Sequence, residues 1–492
     1  MKETNIFLEK EPLLNSGGTN YNNDKEPLLN SYEPYNNNTG DKISLNKEVT
    51  EDVNPELSKK GRNFVFILYL ISNILISMDH GSIPASVNEL RQLTSYDQSI
   101  GLFGSLVYFG SILGSVISFS LINTFDIKLL ILISLLGNSV CLFTFVVIEN
   151  IPFLFLNRVL VGILQSFITI YMPVWCNQFG LQSSRNFMIA LIQLVSPLGI
   201  FFGYFIASIC INDQIYGGWK FAFLVQAVLI LILAIFFLFI PKNFFSKYYH
   251  SVGETKEDEK IIRKTEEEEL NISQNEELSY FEKLKVLLEY KVFVYSMLGM
   301  SVLIYIITGV QYWVTDYLDA ILGVKSQKDR LFLFTVACFT APVFGVLMGT
   351  GIKHLYCKQN MRKSLIFCSL LGVFACLSSI PVPLTLDLFY FIIFMWLVLF
   401  FGGGIVPVLT SIIINAVPDE HSGSANSISN LLTNALGYLP APYIYGILSD
   451  ISGDLGVLGM KVTMWISILG MLFLCLAAYC SFTVDIYKNK TV

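Results

Sequence analysis

From Asn63 to Asp485 long apolar stretches alternate with short polar breaks, and one charged segment, Lys242 to Tyr290, divides the stretches into two sets of six. A helix that crosses a hydrocarbon core of about 30 Å needs about 20 mostly apolar residues. The pattern predicts spans near 63–88, 101–123, 127–148, 151–178, 187–211, 219–241, 291–315, 331–352, 363–384, 387–415, 424–448 and 461–484. Lipid offers backbone groups no partners, so long apolar stretches carrying Gly and Pro read as helices rather than barrel strands. The expected fold is an all-α membrane protein of about twelve transmembrane helices. Its two six-helix halves, 63–241 and 291–485, flank a linker over 242–290, with polar tails at 1–62 and 486–492.

The polar segments carry patterns of their own. Residues 1–62 are rich in Asn, Glu, Lys and Ser, lack an apolar period that could build a core, and are expected to be disordered. No signal-peptide h-region precedes the first span, which is expected to act as the anchor. The tail contains a near repeat, Glu9-Lys-Glu-Pro-Leu-Leu-Asn-Ser16 and Asp24-Lys-Glu-Pro-Leu-Leu-Asn-Ser31. Each copy sets a carboxylate, Glu9 or Asp24, ahead of a leucine pair, Leu13 and Leu14 or Leu28 and Leu29. Both resemble the acidic dileucine signals that clathrin adaptor complexes read, which implies sorting to a lysosomal, endosomal or vacuolar membrane. In the linker, a charge run over 254–269 reads as a solvated connector. After it, Phe281, Leu284 and Leu288 share a face while Lys283 and Lys285 lie off it, the pattern of a short helix on the membrane surface.

Composition agrees with the pattern, since 53% of residues are hydrophobic and 14% charged, and a soluble core of this size has no use for so much apolar surface. Orientation follows from Lys59, Lys60, Arg62, Lys128, Arg185, Lys353, Lys358, Arg362 and Lys363, all on the side of the termini, which is therefore expected to be cytosolic. The opposite loops hold mainly Glu89, Asp97, Glu149, Asp213 and Asp387, with Lys325, Lys328 and Arg330 as the exception. The net charge of −6 sits mostly in the tail and linker and does not suggest nucleic acid. Nine cysteines without CxxC or Cys/His spacing read as buried thiols, implying no metal, disulfide or cofactor. Sequons at Asn37, Asn271 and Asn489 fall on the side assigned to the cytosol.

Several local motifs bear a family resemblance. Asn157-Arg158-Val-Leu-Val-Gly162, Ser196-Pro197-Leu-Gly199 with Gly203, and Gly218-Trp219-Lys220-Phe221-Ala222-Phe223 resemble the fourth, fifth and sixth helices of the major facilitator superfamily. Gly104, Gly110 and Gly114 in span two allow close helix packing. Within the superfamily the chain is similar to the spinster-like lysosomal transporters. This likeness rests on Ser77-Met78-Asp79, Gly309-Val-Gln-Tyr-Trp313-Val-Thr-Asp-Tyr317, His421-Ser-Gly-Ser-Ala425 and Leu436-Gly437-Tyr-Leu-Pro-Ala-Pro442-Tyr-Ile-Tyr-Gly446-Ile-Leu-Ser-Asp450. The resemblance implies a transporter of lysophospholipids or sphingolipids. Three departures stand out: Asn123 and Thr124 occupy positions of the superfamily's Asp-Arg pair, His80 follows Asp79 where the family has Arg, and Gln165 stands where the family has a glutamate implicated in proton coupling.

The residues themselves point to one site. Asp79 and Arg158 are the clear ionisable residues within the cores of the spans, and a buried charge costs several kcal/mol unless paired. At about 1.5 Å per residue Asp79 and Arg158 reach similar depths, so a salt bridge or a shared substrate contact is expected. His80 could titrate between cytosolic and lysosomal pH and gate that site. The second half contributes Tyr305, Gln311, Trp313, Asn430, Asn434 and Tyr438, giving a pocket with one polar corner and an apolar remainder that suits an amphiphile. Alternatives are a small polar solute such as a sugar, amino acid or organic anion, and a non-transporting membrane receptor or scaffold. No catalytic constellation or P-loop appears, so an enzyme or direct ATP driving is not expected; a substrate gradient or a coupled ion, protons being one candidate, would supply the energy.

Overall fold

Each apolar stretch forms a helix, and the helices follow the sequence order in two sets. The first half consists of span one (Lys59–Ser77, then Asp79–Ala85), span two (Asp97–Thr124), span three (Ile127–Val147), span four (Ile151–Phe179), span five (Arg185–Asn212) and span six (Trp219–Phe239). The second consists of span seven (Lys291–Ala320), span eight (Gln327–Phe334 and Ala341–Ile352), span nine (Met361–Ser379), span ten (Leu388–Asn415), span eleven (Asp419–Thr433 and Pro440–Ser452) and span twelve (Val457–Trp465 and Ser467–Lys488). The computed structural model describes residues 59–94, 96–179, 185–245, 280–358, 360–454 and 456–488, and no strand occurs among them. Both dileucine repeats, the charge run of the linker and the short C-terminal tail beyond 488 lie outside the described residues.

Eleven of the spans are long and apolar enough to cross a membrane. Span eleven is the exception because its first segment reads Asp-Glu-His-Ser-Gly-Ser-Ala-Asn-Ser-Ile-Ser-Asn, too polar to count as lipid-facing. Its two segments are joined by a wide π turn over Asn434–Tyr438, in which the Leu439 N–H reaches back to the Asn434 carbonyl at 2.9 Å. Pro440 explains the turn, since it has no N–H to donate and its ring crowds the preceding turn. Side chains cap several helix starts, Asp126 for span three, Asn360 for span nine and Asp387 for span ten. Asp126 also meets Lys242 beyond span six at 2.7 Å, and that hydrogen bond holds its carboxyl below the usual range.

Two buried cores reveal how the halves meet. One joins most of the first half, apart from a small cluster of Val107, Cys141 and Val161, to Val310, Trp313, Tyr317, Tyr445 and Met464 of the second. The other belongs to the second half alone and lies where spans seven, nine and eleven begin and spans ten and twelve end, around Phe293, Leu365, Ile413, Ala425 and Ala478. The halves therefore share a core at the end where span one gives way to span two, here termed the far end, and keep separate cores at the tail end. Far-end packing includes Trp313 stacked on Tyr445 at 4.9 Å, Tyr204 on Phe334 at 3.9 Å and Phe201 on Phe339 at 4.3 Å. Two of the three far-end cations that broke the charge rule are engaged there: Arg330 is buried and, with Lys325, pairs with Asp319.

The expected surface helix forms over Tyr280–Leu288, with a different buried face. Leu287 is buried among Val292 and Phe293, and Leu284 packs beside it, whereas Leu288 is exposed. The helix turns its Leu284 and Leu287 edge onto the second half because only two residues separate it from the start of span seven.

Candidate functional site

A break in span one creates the site. The helix stops at Ser77, turns at Met78 and restarts with Asp79 in its first turn. Close packing on span five holds the break in place. A Cβ on Gly203 would lie 1.8 Å from the Met78 carbonyl oxygen, and one on Gly81 would lie 1.8 Å from that of Ile200, so only glycine permits this approach. Ser82 adds a hydrogen bond from its Oγ to the Gly203 carbonyl at 3.2 Å. Two side-chain amides meet the carbonyls just before the turn: Gln226 Nε2 of span six donates to Leu75 O at 2.7 Å, and Gln165 Nε2 of span four donates to Ile76 O at 2.8 Å. A broken membrane helix survives only when its freed backbone groups find such partners.

Asp79 and Arg158 come together at this break. Arg158 Nη1 lies 2.9 Å from Asp79 Oδ2, with the side chains 1% and 0% exposed. The N–H is not aligned along that contact, so this is an ion pair by proximity rather than a directed hydrogen bond. Arg158 also donates from Nε to the Phe103 carbonyl at 3.1 Å and lies over the Phe145 ring at 5.6 Å.

Gln165 links the pair to His80. Its Nε2 donates to Asp79 Oδ1 at 3.2 Å, and its Oε1 lies 3.3 Å from His80 Nε2. Carbonyl and carboxylate oxygens accept only, which fixes the amide orientation and makes His80 Nε2 the donor to Gln165. His80 packs against Tyr108 of span two at 5.1 Å, and Tyr108 stacks on Tyr438 of span eleven at 4.9 Å and 25°. A column of rings thus runs from the charged corner in the first half to the π turn of the second.

The other expected site residues are spread along the second half. Tyr305 is buried, Gln311 and Asn434 are half-buried, and Asn430 is exposed. Trp313 lies in the far-end seam, fully buried against Tyr445 and donating Nε1 to the Pro442 carbonyl at 3.0 Å. Tyr438 is the one that connects to the ion pair, through Tyr108. Sequence reading passed over Tyr108, although it is the only tyrosine of span two and lies one turn after Gly104, which faces the Tyr312 ring. Phe103 and Phe145 carry no signal among so many phenylalanines; the first meets Arg158 through its backbone carbonyl while its ring packs edge-on against Phe145 at 6.1 Å.

The Major Facilitator Superfamily model matches residues 65–442. Protein spinster homolog 1 of Xenopus tropicalis is 22% identical over 407 residues, covering 78% of this chain and 72% of the relative. The sphingosine-1-phosphate transporter SPNS2 of Danio rerio is 22% identical over 399 residues, covering 77% of this chain and 74% of the relative. Among solved structures, a bacterial homolog of the human lysosomal transporter Spinster, inward-facing and unoccupied, superimposes with a TM-score of 0.65 at 14% identity over 86% of this chain and 98% of its own. A D-xylose–proton symporter gives 0.64 at 12% identity over 83% of this chain and 96% of its own, which speaks to fold alone. With the family model spanning both halves and spinster proteins among its relatives, the chain belongs to the Major Facilitator Superfamily and is spinster-like.

Proposed function

We propose that this protein is a secondary-active transporter that moves a lysophospholipid, sphingoid or similar amphiphile out of an endolysosomal or vacuolar lumen by alternating access. The observation that carries the reading is the asymmetry of the two halves around the ring column. The first half offers a buried carboxylate, guanidinium and amide, Asp79, Arg158 and Gln165, with the half-buried imidazole of His80 beside them. Among the described residues, the second faces them with the Tyr438 ring and no charged group. A zwitterionic or phosphate-bearing head would compete for Arg158 or Asp79 while a hydrocarbon tail lies along the uncharged side.

Gln165 donates its hydrogen bonds but has no ionisable proton, so it cannot take the coupling role that the resemblance gives a glutamate at this position. The Lys and Arg distribution supports cytosolic termini, and the tail repeats support adaptor-mediated delivery to the endolysosomal membrane. Comparing lipids and metabolites of endolysosomal organelles from cells with and without the protein tests the reading. Selective build-up of lysolipids or sphingoid bases in its absence is expected. Build-up of a polar solute would replace the substrate class, and no change would favour a receptor.

A further inference from the structure

Span two begins without a cap of its own. Tyr96 precedes it in an extended conformation and makes no side-chain hydrogen bond to the first turn. The acceptor comes from the other half. Asp450, in the last turn of span eleven, takes the Asp97 backbone N–H on Oδ1 at 2.9 Å and the Gln98 N–H on Oδ2 at 2.8 Å. The unpaired N–H groups and partial positive charge of a helix start favour a carboxylate there. Ser449 Oγ donates to Asp97 Oδ2 at 2.7 Å, so adjacent residues of span eleven hold both the backbone and the side chain of Asp97.

Close helix approach makes this exchange possible. A Cβ on Gly101 would lie 2.4 Å from the Pro442 carbonyl oxygen, and one on Gly446 would lie 2.5 Å from that of Asp97. A second fastening lies beside the first. Arg91 donates from Nε and Nη2 to Asp97 Oδ1 at 3.0 and 2.9 Å, and from Nη2 to Asp316 Oδ2 of span seven at 2.8 Å, its Nη1 also meeting Asp316. Arg91 and Asp97 belong to the first half; Asp316, Ser449 and Asp450 belong to the second.

We infer that Asp450 is a positioning residue for transport: it caps span two across the seam and so holds the far end closed, with Arg91 as the second tie. The inference rests on the alternating-access reading, because only a molecule that opens at the far end must break this cap. When the halves part there, span two loses its acceptor and the Asp97 and Gln98 N–H groups turn to water. Losing a helix cap shifts a two-state equilibrium by about 5- to 30-fold.

Electron–electron distance measurement in lipid nanodiscs tests this, with spin labels at Val147 and Leu386, exposed far-end positions on opposite halves. The background carries Cys475→Ser, which removes the one exposed cysteine. Asp450→Ala is expected to enlarge the long-distance, far-end-open population by about 5- to 30-fold. Asp450→Glu, which keeps the carboxylate, is expected to restore the wild-type distribution. Arg91→Gln and the milder Ser449→Ala should shift it in the same direction as Asp450→Ala, so the inference does not depend on one variant folding. Unchanged distances in a well-folded Asp450→Ala protein would overturn it. A wild-type protein with a single far-end distance, with and without lysophosphatidylcholine, would instead sink alternating access; an Asp450→Ala variant that still opened would uphold the cap.

Discussion

Asp79 and Arg158 are the residues whose removal separates a structural role from a functional one. Breaking a buried pair strands the other charge, at a cost of about 3–5 kcal/mol, whereas removing both leaves only a cavity and lost contacts. Asp79→Ala and Arg158→Ala are therefore expected to lower the melting temperature in detergent, with the double variant recovering part of the loss. If the pair only fastens helices, flux in proteoliposomes should recover with stability; if it contacts substrate, as proposed, flux should stay at least about tenfold down in all three. Gln165→Glu makes a second test. It sets a new carboxylate beside Asp79 Oδ1, where Gln165 Nε2 now lies at 3.2 Å. Two carboxylates sharing a site cannot both ionise readily, so one takes up a proton. Flux through this variant should survive at acid pH and fall as pH rises, relative to the wild type measured over the same range. Asp79 and Arg158 were legible in sequence because a charge in an apolar run is conspicuous, and their matching depths followed from helical rise. Tyr108 was not, because its role depends on lying between two rings from separate helices.

The elements depend on where backbones can touch. Gly203→Ala would drive a Cβ to 1.8 Å from the Met78 carbonyl, a contact with rigid backbone that no rotamer relieves. Spans one and five would have to separate, moving Asp79 off Arg158. Overpacking of this kind costs on the order of 1–3 kcal/mol, so a lower melting temperature and reduced flux are expected. Gly351→Ala is the control, since a Cβ there meets nothing within 4 Å and leaves the helix slightly favoured. A Gly203→Ala protein as stable and active as the control would dismiss the packing account of the break. The sequence pattern placed the spans to within a few residues, and Gly104, Gly110 and Gly114 do face neighbouring helices. It ran span one through without a break, because the break at Met78 comes six residues before Pro84 and is held by contacts with spans five, four and six. The Tyr280–Leu288 helix was also legible, but not its buried edge, which depends on where the second half lies.

At the scale of the molecule, two six-helix halves were written in the hydropathy pattern, while the seam was not, because shared and separate cores arise only once the halves are docked. The seam makes a prediction about access. Far-end rings and charges close one end, and the separate tail-end cores leave the first segment of span eleven with an exposed polar edge that includes Asn426 and Asn430. Amides exposed within an otherwise apolar bundle mark a water-filled opening rather than a lipid face. Asn430 lies 11 residues from the tail-end start of its helix at Asp419, about 16 Å along the axis at the usual rise, so an opening that wets it must reach that far inward. Asn430→Cys in the Cys475→Ser background should react with a membrane-impermeant maleimide applied from the side of the termini, and not from the far side. Adding an amphiphile that drives the opposite conformation should slow that reaction, because closing the tail end buries Asn430. Reaction from the far side alone would invert the assignment of the open end, and equal reaction from both sides would mean that the far-end contacts do not seal.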